Sequence, residues 1–431
     1  MAVRKVNQMQ YCELSREQLL CLKEETEKRY SDFKARKLCL DMSRGKPNKE
    51  QLDLSMDMLN CLKIDNYNTL TGIDSRNYGC FEGVPEARQI MGDLLGVDSK
   101  NIIVGGASSL NLMFDYVMTA MFKGVCGNEP WATQGNVKFL CPVPGYDRHF
   151  AICEYLGIEM INVPMLDNGP DVDMIRELVK DSSVKGMFCV PKYSNPEGKV
   201  FSDDVVKAIA ELKPAANDFR IIWDNAYCVH HLGQEDDELL NILEYSASVG
   251  NPDIAIQFTS TSKISFPGSG ISCIAASDNN IADILKRMTV QTICNNNINQ
   301  FRHVKYFGSA DGIKKHMNKH AAILRPRFDI VLDTLNKELA ELGIAKWSNP
   351  KGGYFISLDV TNGCAKRVCQ LSREAGVVLT NAGATYPYGK DPDDKNIRIA
   401  PSFPSVEDLK LASELLCISV KLATLEKMLT K

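Results

Sequence analysis

The residues that could do chemistry follow short apolar runs. Lys263 closes the run Ser-Thr-Ser-Lys at 260–263, just after the apolar residues 254–258. A lysine held deep among hydroxyl groups is suited to a lowered pKa and to Schiff-base chemistry. Asp224 directly follows the apolar residues 219–223. At the end of a buried strand its carboxylate needs a partner, because burying it unpaired is costly, and a protonated heteroaromatic nitrogen would serve. Taken separately, Asp224 could be an ion-pair residue and Lys263 a surface lysine.

A glycine turn is a candidate phosphate site. Gly105 and Gly106 follow the apolar residues 102–104, and Ala107 and Ser108 then lead into an apolar helix. Such a turn exposes backbone N–H groups at the positive end of the helix dipole, which favours a phosphate. The alternative is a tight turn whose serine caps the helix. The pattern is neither a Walker motif nor a dinucleotide-binding fingerprint.

Two further loops could hold a planar, anionic ligand. In the run 142–149, prolines and a glycine fix a turn that carries Tyr146 and Arg148. Tyr146 could stack on a planar ligand and Arg148 could bind a carboxylate, or they could be a packing tyrosine and a surface cation. Asn195 lies in a second proline-containing loop, and Tyr227 follows Asp224 by three residues.

The elements between these loops predict an α/β fold. From about residue 101 to 277, apolar runs rich in Val, Ile and Phe alternate with stretches of helical periodicity. The unbroken hydrophobicity of the runs suits strands buried on both faces of a mostly parallel sheet. Because active sites of such sheets lie outside the carboxyl ends of the strands, we expect the polar loops to come together. The predicted strands are 102–104, 137–141, 159–163, 186–190, 219–223, 254–258 and 271–275.

The two ends of the chain predict a smaller domain. Ser15 and Gln18 form a capping-box pair that begins a helix running to about Arg36. Near the other end, the pattern predicts a long helical stretch at 301–342 that is interrupted at Pro326. Three strands, at 353–358, 376–380 and 396–400, and a last helix at 406–429 are predicted to follow. We therefore expect an N-terminal segment at 1–60 that joins the small domain, a large domain at 61–300 and a small C-terminal domain at 301–431.

Composition excludes several classes of function. The 431 residues carry 50 Lys and Arg against 54 Asp and Glu, a net charge of −4, so no general attraction to nucleic acid or to an anionic membrane is expected. The 15 cysteines contain no C-x-x-C pair, which argues against a zinc ribbon or other metal site and indicates thiols in a reducing compartment. No apolar run approaches the roughly 20 residues that span a bilayer. We expect a cytoplasmic enzyme.

Three motifs occur together in the order expected of one family. They are Ser-x-x-Lys at 260–263, Asn-Pro-x-Gly at 195–198 and Asp-x-x-Tyr at 224–227. With them the sequence resembles the fold type I pyridoxal 5′-phosphate enzymes, in particular the class I aminotransferases, over residues 43–404. The resemblance implies a large domain with a mostly parallel seven-stranded sheet flanked by helices, and a smaller α/β domain built from both chain ends.

The resemblance also implies roles around the cofactor ring. Lys263 would carry the cofactor as a Schiff base and move the proton of the substrate Cα, while Asp224 would keep the pyridine nitrogen protonated. Asn195 and Tyr227 would hydrogen-bond the ring oxygen, and Tyr146 would stack on the ring face.

The phosphate assignments implied by the resemblance include a partner subunit. Ala107, Ser108 and Ser260 would bind the phosphate, and Tyr78 would reach the phosphate of a neighbouring subunit, which implies a homodimer with shared active sites. Most class I aminotransferases carry an arginine about eight residues after the lysine, but the run 266–272 supplies none. Backbone N–H groups, hydroxyls, Tyr78 or a cation from elsewhere would have to replace it.

A narrower resemblance points to the substrate. The runs 43–47 and 144–149 are similar to those of the divergent, MocR-like subgroup of bacterial aspartate aminotransferases. Arg398 matches the arginine that binds the α-carboxylate, although an edge-strand cation is the alternative; Asn195 would assist it. Arg148 is the candidate for the distal carboxylate, and Arg44 and Gly45 are candidates on a segment covering the substrate.

Three functions remain open at this point. The favoured reaction is L-aspartate plus 2-oxoglutarate giving oxaloacetate plus L-glutamate, by a ping-pong cycle. The same cofactor would also allow a lyase, or transamination of aromatic or kynurenine-type amino acids, for which Arg148 would not be needed. An effector sensor attached to a DNA-binding module is a third reading, but the residues before Ser43 show no helix-turn-helix pattern.

Overall fold

The computed structural model describes residues 9–63 and 67–430. The chain divides into two compact units. The central unit comprises Lys49–Ser194 and Lys199–Ala321, and the terminal unit comprises the described residues up to Asn48, Asn195–Gly198 and those from Ala322 onwards. The sequence analysis placed the divisions near 60 and 300. The second division falls inside one continuous helix, where neither composition nor a turn marks it.

The strands are short, and many of those in the central unit are buried at every residue. In chain order they are β1 (Leu40–Asp41), β2 (Ile102–Gly105), β3 (Lys138–Val143), β4 (Glu159–Leu166), β5 (Gly169–Pro170), β6 (Val184–Cys189), β7 (Arg220–Asp224), β8 (Ala255–Ser260), β9 (Ser272–Ala275), β10 (Ala345–Trp347), β11 (Ile356–Val360), β12 (Val377–Val378) and β13 (Asn396–Ile399).

The helices alternate with these strands. The α-helices are Arg16–Ala35, Lys49–Asp53, Pro85–Leu95, Ser109–Lys123, Asp147–Tyr155, Val172–Leu178, Asp203–Ala210, Ile242–Ser248, Asp278–Gln291, Asn297–Phe307, Ala310–Leu339, Ala365–Glu374 and Val406–Thr430. Short 3-10 turns lie at Tyr11–Glu13, Met56–Asn60, Ser99–Asn101, Trp131–Thr133 and Pro387–Gly389. None of the helices in the described ranges has an apolar stretch long enough to cross a bilayer.

The central unit is built on one twisted, mostly parallel sheet in the order β2-β9-β8-β7-β6-β3-β4-β5. The pairs from β8 to β4 are parallel, and β9 runs antiparallel to both of its neighbours. All seven predicted runs are strands, which confirms the mostly parallel sheet. The sheet has eight strands rather than seven, because β5 is a two-residue edge strand, too short to produce a sequence pattern.

Burial on both faces explains why the apolar runs are unbroken. Every residue of β6, β7 and β8 is buried. On one face Met187 and Ile221 pack with Val206 and Ile209 of the helix Asp203–Ala210 in a single apolar cluster. Each such side chain contributes about 1.5–3 kcal/mol on burial, so the middle of the sheet is a rigid support for the loops at its carboxyl edge.

The terminal unit contains the antiparallel sheet β10-β11-β13 and the parallel pair β1-β12. The predicted capping box is present: Gln18 N donates to Ser15 Oγ at 3.3 Å and Ser15 N donates to Gln18 Oε1 at 2.8 Å. The helix that begins there, Arg16–Ala35, packs against the long last helix, Val406–Thr430. The prediction of both helices is confirmed.

The predicted interruption at Pro326 is wrong. The break lies at Gly308, whose φ of +72° ends the helix Asn297–Phe307, and the next helix continues through Pro326. A proline removes one backbone hydrogen bond of the helix. The Arg327 side chain adds a hydrogen bond in this turn, since its Nη1 donates to the Ile323 carbonyl at 2.9 Å.

Candidate active site

Asp224 lies at the carboxyl end of β7 and is 2% exposed. Its Oδ2 is 3.0 Å from His149 Nε2, an ion pair or hydrogen bond in which the imidazole N–H donates. Its Oδ1 is buried and accepts no hydrogen bond from the described residues. A buried carboxylate oxygen without a donor is costly. The arrangement therefore fits a ligand that brings one N–H donor, as the protonated ring nitrogen of the expected cofactor would.

His149 is a site residue that the sequence analysis missed. It is 2% exposed, stacks on Phe188 with ring centroids 4.4 Å apart, and meets the Tyr146 ring edge-on at 5.0 Å. Its contact with Asp224 joins a helix and a strand that are far apart in the chain. The only local signal is a histidine three residues after Tyr146, in the first turn of a helix, and no spacing rule links it to Asp224.

Lys263 and Tyr227 lie in the loops that follow the parallel neighbours β8 and β7. The Lys263 Nζ is 5.0 Å from the centroid of the Tyr227 ring. Adjacent parallel strands bring their carboxyl ends to the same edge, which explains this meeting. Burial, and next the positive charge of Lys263, lower the pKa of His230 well below its usual 6.5, so a neutral imidazole lies behind the lysine.

The glycine turn has the form expected of an anion site. Gly106 has a φ of +44°, and the turn leads into the helix Ser109–Lys123. Ser108 is the N-cap residue but its hydroxyl makes no capping hydrogen bond. Ser260 Oγ donates to Ser262 Oγ, and Ser262 Oγ donates to the Ala107 carbonyl, both at 3.1 Å. The structure therefore brings the three predicted phosphate residues, Ala107, Ser108 and Ser260, to one place.

The loop where family members carry an additional arginine is reached from another helix. Arg302 Nη2 donates to Ser269 Oγ at 2.6 Å and to Asn299 Oδ1 at 2.5 Å. Both hydrogen bonds of this nitrogen are therefore made to oxygen atoms of the protein. Nearer the glycine turn, Gly106 N donates to Asn295 Oδ1 at 3.3 Å, so an asparagine amide also contributes to the turn.

Two predicted residues of the central unit lie at its surface. Arg148 is exposed in the first turn of the helix Asp147–Tyr155, and Tyr78 is 72% exposed. The structure does not bring either into the group formed by the buried Asp224 and His149 and the half-buried Tyr146. An exposed position leaves both side chains accessible to a substrate or to another subunit.

The remaining predicted residues belong to the terminal unit. Arg398, on β13, is 7% exposed; its Nη1 donates to Asn195 Oδ1 at 3.3 Å and its guanidinium carbon is 4.9 Å from the Phe355 ring centroid. A Cβ on Gly45 would collide with the Phe355 ring, so a larger residue here would displace that ring. A guanidinium held by an amide and an aromatic face is well suited to a carboxylate. Arg44 is exposed and lies outside this group.

Known proteins resemble this chain over almost its whole length. A family model described as aspartate amino-transferase matches residues 14–431. An aspartate aminotransferase of Corynebacterium glutamicum is 45% identical over 404 residues, covering 94% of this chain and 94% of that protein. The crystal structure of an aspartate transaminase of C. glutamicum has a TM-score of 0.96 at 43% identity, over 97% of this chain and 99% of that chain.

More distant structures share the fold. A kynurenine aminotransferase of Pyrococcus horikoshii, solved in complex with PMP, has a TM-score of 0.73 at 19% identity, over 95% of each chain. These distant structures confirm the fold, and membership of the aminotransferase family confirms the cofactor expected from the sequence. The chain belongs to the aspartate amino-transferase family and is a pyridoxal 5′-phosphate-dependent aminotransferase.

Proposed function

We propose that this aminotransferase acts on dicarboxylic amino acids and catalyses L-aspartate plus 2-oxoglutarate giving oxaloacetate plus L-glutamate. The observation that carries the proposal is the buried Arg398, held by Asn195 and Phe355, in a chain 45% identical to an aspartate aminotransferase. A guanidinium fixed in this way offers two parallel N–H donors, which match an α-carboxylate.

The cofactor-binding roles follow from the central unit. Pyridoxal phosphate supplies an aldehyde that reacts with amines and a ring that accepts electrons. Asp224 Oδ1 would accept from the ring nitrogen, while His149 holds Oδ2 and fixes the carboxylate. Lys263 Nζ would be the amine that carries the cofactor and, when released, the base that takes the proton from the substrate Cα. Tyr146 would cover one ring face.

Polar groups hold the rest of the cofactor. Tyr227 and Asn195 would donate to the ring oxygen. Ala107 and Ser108 would offer backbone N–H groups at a helix N-terminus and Ser260 a hydroxyl, so these groups would hold the phosphate in place of the missing arginine.

Substrate selection depends on two arginines. Arg398 binds the α-carboxylate, and the exposed Arg148 binds the distal carboxylate, with Arg44 and Gly45 on the segment that covers the substrate. A substrate without a second carboxylate lacks the ion pair with Arg148, so kcat/KM is higher for dicarboxylic than for monocarboxylic amino acids.

We also propose a homodimer with shared active sites in a reducing, cytoplasmic compartment. Several large apolar side chains of the central unit are strongly exposed, namely Leu70 at 90%, Tyr78 at 72%, Val290 at 89% and Ile293 at 69%. A second copy of the chain would bury them, and Tyr78 would then reach the partner's phosphate. Buried thiols such as Cys189 and Cys273 act as small apolar core residues, which a reducing compartment preserves.

Visible absorption tests the reaction. The purified protein with pyridoxal phosphate should lose its yellow band with L-aspartate alone and regain it with 2-oxoglutarate. Lys263→Ala, the control, should keep its fold but show neither change. A band that ignores aspartate and glutamate but responds to an aromatic amino acid would contradict the dicarboxylate assignment.

A further inference from the structure

All six histidines of the sequence are buried in the central unit, none more than 6% exposed. Three of them belong to two successive helices, His303 to Asn297–Phe307 and His316 and His320 to Ala310–Leu339. The rings of His303 and His316 contact the turn Thr261–Ser265, in which Lys263 is the middle residue, and the ring of His320 contacts that of His316. The backbone of this turn is closed by Ile264 N and Ser265 N, which both donate to the Thr261 carbonyl at 2.9 Å.

His303 joins the two ends of the turn. Its Nδ1 is 2.8 Å from the Asn299 carbonyl oxygen and therefore donates to it. Burial lowers the pKa of His303 to about 4, so the ring is neutral and its Nε2 carries a lone pair. That nitrogen lies 2.9 Å from Ser265 Oγ and 3.2 Å from Thr261 Oγ1, and it accepts from these hydroxyls.

His316 holds the residue directly after the lysine. Its Nε2 donates to the Ile264 carbonyl at 3.0 Å. Behind it, His320 Nε2 lies 3.1 Å from the same nitrogen, and His320 Nδ1 lies 3.0 Å from Gln51 Nε2. Side chains from two helices thus fix the turn at three of its five residues.

We propose that His303 is a positioning residue for Lys263: by accepting from the hydroxyls two residues before and two residues after the lysine, it fixes the direction in which the lysine side chain leaves the turn. The inference rests on the proposed role of Lys263 in binding the cofactor. A reactive amine displaced by about 1 Å can lose on the order of 100-fold in rate, so the orientation of the Lys263 side chain should strongly affect the rate at which it reacts.

Two substitutions at one position separate the role from mere packing. In His303→Gln, Oε1 takes the place of Nε2 and still accepts from Ser265 and Thr261, while the bond to Asn299 is lost. In His303→Asn, the short amide can still donate to Asn299 but offers no acceptor to the turn. His231→Asn is the control, since His231 is also buried but binds Asn318 rather than the turn.

The readout is the rate at which apoprotein, mixed with pyridoxal phosphate, acquires a borohydride-reducible label on Lys263, measured by mass spectrometry. No amino acid substrate is needed, so failure of the aspartate assignment does not affect the test. We expect His303→Gln and His231→Asn to stay within about threefold of the wild type and His303→Asn to be slower by at least about tenfold.

Equal rates for the Gln and Asn variants would overturn the proposal, as would slowing that follows the loss in Tm of each variant. If His303→Asn does not fold, Ser265→Ala removes the closest donor and should slow labelling in the same direction; an unchanged rate overturns the proposal. A wild type labelled at another lysine would instead overturn the proposed role of Lys263.

Discussion

Replacing His149 by phenylalanine should weaken both the apoprotein and its hold on the cofactor. Phenylalanine keeps the planar ring stacked on Phe188 but removes the N–H that Asp224 Oδ2 accepts at 3.0 Å. Both partners are 2% exposed, so water does not replace the bond. A hydrogen bond to a charged group contributes about 1.5–3 kcal/mol. We expect the apoprotein to lose about 2 kcal/mol in its free energy of unfolding.

The same substitution should weaken the binding of the cofactor. Without His149, no side chain fixes Asp224 Oδ2, so Oδ1 is no longer held in one direction toward the ring nitrogen. We therefore expect the Kd of pyridoxal phosphate to rise by about tenfold, equivalent to about 1.4 kcal/mol.

A double-mutant cycle with Asp224→Ala measures the bond itself. Urea unfolding of the four apoproteins gives the coupling free energy between positions 149 and 224. Coupling of about 1.5–3 kcal/mol agrees with the geometry, whereas additivity within about 0.5 kcal/mol would refute the reasoning. Coupling in the apoprotein with an unchanged Kd would refute only the effect on the cofactor.

Three further predictions concern specificity, stability and pH. In steady-state kinetics, Arg148→Ala should reduce kcat/KM for aspartate and glutamate more than for monocarboxylic amino acids, by a factor equivalent to about 1 kcal/mol because this arginine is exposed. Equal losses would remove Arg148 from specificity. Lys185 lies 2.8 Å from Asp218 and 2.6 Å from Gln134, and is 4% exposed. Lys185→Met leaves the Asp218 charge buried without its ammonium partner, so urea unfolding should show a loss of about 3–5 kcal/mol, largely recovered in a double variant with Asp218→Leu. Burial lowers the pKa of His320 to about 3, so between about pH 6.5 and 4 the unfolded chain binds a proton there that the folded chain does not, and stability falls on acidification. His320→Gln should reduce that fall by about 1.4 kcal/mol per pH unit in urea unfolding at successive pH values, and an unchanged slope would contradict a neutral His320.

The sequence was informative where one local property suffices. Seven apolar runs predicted seven strands because a strand buried on both faces of a parallel sheet must be apolar throughout. The two-residue strands β1 and β5 carry no such pattern, since their pairing depends on what the rest of the fold places beside them, whereas β12 lies within the predicted strand 376–380. Pro326 was misread because the cost of a proline in a helix, about 3 kcal/mol, can be offset by tertiary packing.

The same distinction applies to the residues of the candidate site: some could be predicted from local sequence and others could not. Lys263 and Asp224 could be found because each follows a strand, and parallel strands bring their ends together. The sequence could not tell that Arg398 is buried and Arg148 exposed, since strand and helix positions alone do not determine burial. His149 could not be found, because its partner is 75 residues away and only the packed sheet brings them together.

The residues that support the site have a chemistry in common. His149 holds the carboxylate of Asp224, and His303 and His316 hold the turn of Lys263, all from buried positions. A lysine or arginine in place of His303 could donate hydrogen bonds, but it would add a positive charge next to the reactive amine and could not accept from the hydroxyls of the turn. A neutral imidazole accepts at one nitrogen and donates at the other without adding charge. A neutral histidine therefore orients the turn that carries Lys263 and places no additional positive charge near the amine, whose reactivity depends on the local charge.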